Sequence, residues 1–104
     1  MPADTAEVFA ALGDATRLSL VTRLGEGGPA SIVRLTQGAQ MTRQAVTKHL
    51  AVLERAGLVR RAKAGRESLW AVDRQGLDMA QGWLKLMSQR WDTRLDALRS
   101  FVEE

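Results

Sequence analysis

The sequence contains no cysteine and only one histidine among its 104 residues. Without cysteine the chain can form no disulfide, thiolate metal site or thiol redox switch. A zinc site needs three or four nitrogen, sulfur or oxygen ligands, and His49 has no second histidine or cysteine to join it. We therefore expect neither a metal nor a cofactor, and we interpret His49 as a packed side chain of the apolar helix face on which it lies.

Long apolar runs and a signal peptide are also missing. No apolar run approaches the ~18 residues of a membrane span, and the first residues lack the basic and apolar segments of a secretion signal. No nucleophile–histidine–acid set or glycine-rich phosphate loop is present. Asp92 and Asp96 are one helical turn apart, but nearby arginines make a solvated face the better interpretation. We expect a cytoplasmic protein of one domain (residues 1–104) that is not an enzyme and does not contact membranes.

Positive charge is concentrated in one segment. Residues 43–66 contain seven basic side chains and one acidic side chain, a net charge of +6. The rest of the chain contains eight basic and eleven acidic side chains, so the total is only +3. Such a concentration favours a polyanionic partner that contacts this segment.

Capping residues and apolar spacing predict four short helices. The first carries Val8, Phe9 and Leu12. The second begins after Asp14 and ends at Gly25, and the third runs from about Ile32 to near Gly38. The fourth begins after Thr42 and is followed by Gly57, a residue suited to the left-handed conformation after a helix.

The fourth helix has one polar, largely basic face and one apolar face. At 100° per residue, the polar side gathers Arg43, Gln44, Thr47, Lys48, Ala51, Glu54 and Arg55. The other side gathers Ala45, Val46, His49, Leu50, Val52, Leu53 and Ala56. This helix is expected to pack on one side and to present base-reading side chains on the other.

A basic hairpin and one long helix complete the predicted fold. Residues 58–63 and 68–72 have strand character and flank a tip at Ala64-Gly65-Arg66. Residues from about 74 to 101 form one helix after Asp73, with a heptad-like apolar seam. A small domain cannot bury so long a seam, so a second copy of the chain is the expected partner. The predicted dimer residues are Phe9, Leu77, Leu84, Met87, Trp91 and Leu98.

The expected architecture is mainly α-helical with a small β-hairpin, a winged helix-turn-helix with a long C-terminal dimerisation helix. The major groove of B-form DNA admits one helix, whose first turns face the base edges. Double-stranded DNA is therefore the predicted partner. The predicted DNA-binding residues are Thr42, Arg43, Gln44, Thr47 and Lys48 on the helix and Arg60, Arg61, Lys63 and Arg66 on the hairpin. The hairpin bases are expected to contact phosphates or the minor groove, and Arg55 is expected to pair with Glu54 or Glu67.

The segments 12–17 (LGDATR) and 45–59 (AVTKHLAVLERAGLV) resemble the ArsR/SmtB family of winged-helix repressors. The segment 64–67 (AGRE), followed by Trp70, is similar to the wing of that family. The resemblance implies a bacterial homodimer, joined by its first and last helices, that binds an inverted-repeat operator near a promoter. Many members sense metals through cysteines on the third helix or histidines on the last. This chain offers Ser31, Ile32, Val33 and Arg34 on the third helix and no histidine on the last, so it resembles members without metal sites.

Alternatives remain open at this stage. Met79, Trp83, Leu86 and Trp91 are interpreted as dimer core, with a small organic effector pocket at the dimer interface as the alternative. A winged helix can also bind other proteins without specific DNA binding. It can bind RNA as well, although the basic helix face here carries no stacking aromatic side chain.

Overall fold

The computed structural model describes residues 4–38 and 40–103, so the ends of the predicted domain lie outside it. Five helices and two strands follow in the order α1 (Thr5–Leu12), α2 (Ala15–Gly27), α3 (Ile32–Thr36), α4 (Arg43–Arg55), β1 (Val59–Ala64), β2 (Glu67–Val72) and α5 (Arg74–Glu103). The predicted mainly helical fold with one hairpin and a long last helix is confirmed.

Side-chain caps set the starts of the first four helices. Asp4, Asp14, Ser31 and Thr42 each accept a hydrogen bond from the backbone N–H three residues later, at 3.0 to 3.2 Å. Such a bond satisfies one of the N–H groups that a helix start leaves unpaired. The predicted caps Asp14 and Thr42 are confirmed.

The predicted ends of α2 and α3 are wrong by two residues. Helix α2 continues through Gly25 to Gly27, and Gly28 follows with φ +79°. An interior glycine costs a helix only about 1 kcal/mol, which the burial of the neighbouring Leu24 offsets. Helix α3 ends at Thr36, where the Arg23 guanidinium donates to the carbonyls of Leu35 and Arg34 at 2.6 and 3.1 Å. These two carbonyls are then satisfied without another helical turn.

The core lies where α1, α2 and α4 meet the base of the hairpin. Leu50 and Leu53 of α4 are fully buried, as is Leu58 just before β1. Gly57, with φ +78°, makes the reversal between α4 and β1, as predicted. One side of α4 is thereby fixed inward and its basic side outward.

The hairpin is antiparallel and is tied to the helical body through its second strand. The turn has two residues, Gly65 and Arg66, so the predicted three-residue tip is one residue too long. Gly65 has φ +66°, which suits a tight hairpin turn. Trp70 on β2 exchanges two backbone hydrogen bonds with Ala30, at 2.8 and 2.9 Å. The loop before α3 therefore holds the hairpin in place.

Helix α5 begins in close contact with the turn after α4. The Gly76 N–H donates to the Gly57 carbonyl at 2.8 Å, and a Cβ at Gly76 would lie 2.7 Å from that oxygen. Leu77, the following residue, packs on the core, and Ala80 is buried one turn later. Beyond Trp83 the helix projects away from the other elements. The whole molecule is therefore elongated, with a longest dimension of 67 Å.

Candidate nucleic-acid interface

The outward face of α4 carries the predicted base-reading residues. Arg43, Gln44, Thr47 and Lys48 are all exposed, whereas Val46 and Leu50 between and after them are buried. All four exposed residues lie in the first two turns of the helix. The helix can therefore present arginine, lysine and glutamine donors to the major groove without disturbing its packed side.

The two threonines of this region use their hydroxyl groups within the helix. The Thr42 hydroxyl caps α4 by accepting from the Ala45 N–H at 3.1 Å. The Thr47 hydroxyl donates to the Arg43 carbonyl at 2.8 Å. Thr47 can therefore present its methyl group outward, and this group suits contact with a thymine methyl.

The hairpin extends the basic surface beside α4. Arg60, Arg61, Lys63 and Arg66 are exposed, and Arg66 occupies the turn itself. Exposed lysines and arginines on a protruding hairpin fit phosphate contacts, which orient a protein on DNA without reading its sequence.

A groove of about 520 Å³ joins the hairpin to α3 and α4. Its lining residues are Ser31, Ile32, Val33, Arg43, Thr47, Glu67 and Ser68. Arg43 and Thr47 were predicted from the sequence to belong to this surface, whereas the other five residues were not. The exposure of Val33 at 46% is the structural sign of this groove. No periodic pattern in a five-residue helix could have indicated it.

Arg61 differs from the other hairpin bases because it has partners within the chain. Its Nη2 lies 3.7 Å from the Glu54 Oε1, and its guanidinium carbon lies 5.0 Å from the centre of the Trp70 ring. The expected pairing of Glu54 with Arg55 is therefore wrong among the described residues, since the carboxylate of Glu54 faces the hairpin.

His49 links α4 to the start of α2. Its Nδ1 lies 3.9 Å from the Asp14 Oδ2, and its side chain is 25% exposed. A hydrogen bond from the Arg17 backbone N–H holds the pKa of Asp14 below its ordinary value, and the charges of Arg17 and His49 lower this pKa further. This arrangement fits the packing role predicted for His49 better than that of a ligand.

The predicted dimer residues fall into two groups. Phe9 packs edge-on against Trp83 of its own chain, with ring centres 5.4 Å apart, and Leu77 packs on the core. Leu84, Trp91 and Leu98 are 52%, 63% and 58% exposed, and Met87 between them is half-buried. The exposed residues lie on the part of α5 that leaves the body.

Two further observations concern residues 4–38 and 40–103. No group of three histidine, cysteine, aspartate or glutamate side chains there could hold a metal ion. Among these residues, no helix combines the length and apolarity that crossing a membrane requires.

Comparison with known proteins gives this geometry a family context. The sequence profile of a helix-turn-helix domain family matches residues 12–62. The chain is 34% identical over 85 residues to the HTH-type transcriptional regulator YuzN of Bacillus subtilis, covering 75% of this chain and 92% of that protein. It is 34% identical over 83 residues to the regulator Rv2034 of Mycobacterium tuberculosis, covering 75% and 77% of the two chains.

A solved structure shows the same architecture over nearly the whole chain. The ArsR-like transcriptional regulator from Rhodococcus sp. RHA1 superimposes with a TM-score of 0.82 and 36% sequence identity, covering 93% of this chain and 91% of that one. The helix-turn-helix match includes α4, whose basic face is described above. The resemblance seen in the sequence is thus confirmed, and the chain belongs to the ArsR family of helix-turn-helix transcriptional regulators.

Proposed function

We propose that this regulator is a sequence-specific repressor that binds an inverted-repeat operator as a homodimer. The observation that carries the proposal is the exposed basic face at the start of α4, beside a basic hairpin. Arg43 and Lys48 can donate to guanine O6 and N7, and Gln44 can pair with adenine. The hairpin bases add phosphate contacts that fix the register of the helix in the groove.

The exposed seam of α5 supports the dimer. Leu84, Trp91 and Leu98 form an apolar surface of a kind that monomers seldom leave open to water. A second copy that packs on this surface generates a two-fold axis. Two recognition helices related by that axis bind half-sites about one helical turn apart, which is the geometry of an inverted repeat.

Repression follows from occupancy of promoter DNA, and this role requires no catalytic step. The protein acts in the cytoplasm, where the bacterial chromosome lies. A metal is not the signal in this proposal, because the chain has no cysteine and a single histidine. The small organic effector at the dimer interface stays a prediction. One residue of its expected pocket, Trp83, packs against Phe9 of the same chain and remains 44% exposed.

The test is a titration of the protein against the DNA upstream of its own gene, with a scrambled duplex as control, at several salt concentrations. A dimer that neutralises about eight phosphates gives a slope near −7 in a plot of log affinity against log salt. Preference for the native duplex supports the proposal. Equal and weak binding to both duplexes contradicts sequence specificity. Absence of binding at low salt contradicts the DNA role and favours the protein-interaction alternative.

Two matched variants locate the contact surface. Lys48→Gln is expected to weaken binding to the native duplex about tenfold or more, because it replaces a charged donor that suits guanine O6 and N7 with a neutral amide that suits adenine. Lys85→Gln makes the same change at an exposed position of α5, away from α4, and should leave the affinity close to that of the wild type. Equal losses in both variants would contradict the assignment of the α4 face to DNA.

A further inference from the structure

The basic residues of the hairpin do not share one face. Side chains alternate along a strand, so Arg60 lies on the face opposite to Arg61 and Lys63. Arg61 pairs with Trp70 across the two strands, and its guanidinium lies over the Trp70 ring. Arg61 and Lys63 therefore lie on the same face of the hairpin as Trp70.

Trp70 anchors the hairpin to the core. Its side chain is 3% exposed, and its backbone exchanges two hydrogen bonds with Ala30. A guanidinium over the face of a buried indole is held by the electrostatic attraction of the ring. Arg61 therefore contacts the residue through which the hairpin is bonded to the loop before α3.

The second partner of Arg61 belongs to the recognition helix. Glu54 lies in the last turn of α4, and its Oε1 is 3.7 Å from the Arg61 Nη2. Arg61 thus connects the end of α4 to the anchored strand pair. Its guanidinium therefore lies next to Glu54 and Trp70, on the hairpin face opposite to Arg60.

We propose that Arg61 is a positioning residue, which fixes the angle between the hairpin and α4 through Glu54 and Trp70 and makes no phosphate contact. The inference rests on the proposed DNA binding and refines the set of residues that perform it. An exposed ion pair is individually weak. The expected effect of losing the clamp is therefore a threefold to tenfold reduction in operator affinity, through a hairpin that is less well placed.

Substitution of Glu54 separates the two roles by sign. If Arg61 is a clamp, Glu54→Gln weakens operator binding more in the wild-type protein than in an Arg61→Gln background. If Arg61 instead contacts phosphate, removal of Glu54 frees the guanidinium for DNA, and Glu54→Gln strengthens binding more in the wild-type protein. The Arg61→Gln background removes the general effect of deleting a negative charge, because that effect is common to both.

The salt dependence gives an independent readout. Each phosphate contact contributes about 0.9 to the magnitude of the log–log slope, so losing one contact from each half of a dimer reduces that magnitude by about 2. Arg61→Gln is expected to leave the slope unchanged. Lys63→Gln is the matched control on the same face and nearer the turn, and it should make the slope less negative. If Arg61→Gln makes the slope less negative by as much as Lys63→Gln does, the clamp is overturned.

Hydrogen exchange tests, in the absence of DNA, whether Arg61 holds the hairpin in place. Amide exchange in β1 and β2 should be faster in Arg61→Gln and in Glu54→Gln, no faster in the double variant than in Arg61→Gln, and unchanged in Lys63→Gln. Unchanged exchange in both single variants overturns the clamp. A wild-type protein that binds no operator overturns the proposed function instead, and the exchange experiment then still decides whether Arg61 holds the hairpin.

Discussion

The two halves of α5 have the same sequence pattern and opposite environments. In residues 74–83, Gly76 and Ala80 are buried and Leu77 packs on the core of its own chain. In residues 84–103, the large apolar side chains Leu84, Trp91 and Leu98 are more than half exposed. The heptad-like spacing continues across the boundary at Trp83 without a break.

The difference shows that periodicity predicts a helix and its apolar face without predicting what covers that face. The proximal half is stabilised by tertiary packing within the chain. The distal half has only its own hydrogen bonds and side-chain pairs, and isolated helices of such length are marginal in water. In the proposed dimer, the distal half is therefore stabilised by the second copy, whereas the proximal half is stabilised by its own chain.

The largest expected effect comes from placing charges on the distal seam. Leu84→Asp combined with Trp91→Asp should weaken dimerisation by at least about 100-fold, since large apolar side chains at the centre of an interface can each contribute about 2 kcal/mol or more. Sedimentation equilibrium measures the change, and operator affinity should fall with it. Gln89→Asp combined with Ser100→Asp adds the same charge on the opposite side of the helix and should leave the dimer intact. A double seam variant that remains dimeric would place the interface elsewhere.

An intermediate effect is expected from substitutions of two glycines in the proximal half, one packed against the turn after α4 and one facing open space. Gly76→Ala should lower the free energy of unfolding by about 1–3 kcal/mol, because its Cβ would lie 2.7 Å from the backbone oxygen of Gly57. Gly82→Ala should raise the free energy of unfolding by up to about 1 kcal/mol, because the position is helical and its Cβ meets no described atom within 4 Å. Urea denaturation measures both values. Equal effects of the two substitutions would contradict the close approach of α5 to the turn after α4.

The smallest effect is a pH dependence confined to the packed part of the molecule. The bond from the Arg17 N–H lowers the pKa of Asp14 in the folded state. A lowered pKa means that ionised Asp14 contributes stability above its unfolded pKa of about 3.9, and that this contribution is lost as the pH falls through the folded value. The stability difference between wild type and Asp14→Asn should therefore be larger at pH 6 than at pH 3. A difference that stays constant between these two pH values would show that the charge of Asp14 does not stabilise the start of α2.

Much of the fold was predictable because its signals are local. Asp14 and Thr42 cap helices through bonds to residues three positions away, and Gly57 and Gly65 adopt positive φ angles that few other residues tolerate. The ends of α2 and α3 were predicted wrongly because they depend on distant groups. Arg23 of α2, for example, donates hydrogen bonds to carbonyls at the end of α3.

The candidate interface was predictable in part for the same reason. The basic face of α4 follows from helical spacing alone, and the structure leaves Arg43, Gln44, Thr47 and Lys48 exposed. The distinct position of Arg61 could not be predicted. It depends on which residue of β2 lies opposite and on the approach of Glu54 from α4.

The sequence by itself determined the helices, the hairpin, the concentration of positive charge and the apolar seam. Each of these features depends on neighbouring residues or on a short sequence repeat. Only the tertiary structure decided which part of the seam the chain covers for itself, which groove adjoins the recognition helix, and which hairpin arginine contacts Glu54 and Trp70. These features depend on contacts between residues far apart in the chain, and local patterns carry no information about such contacts.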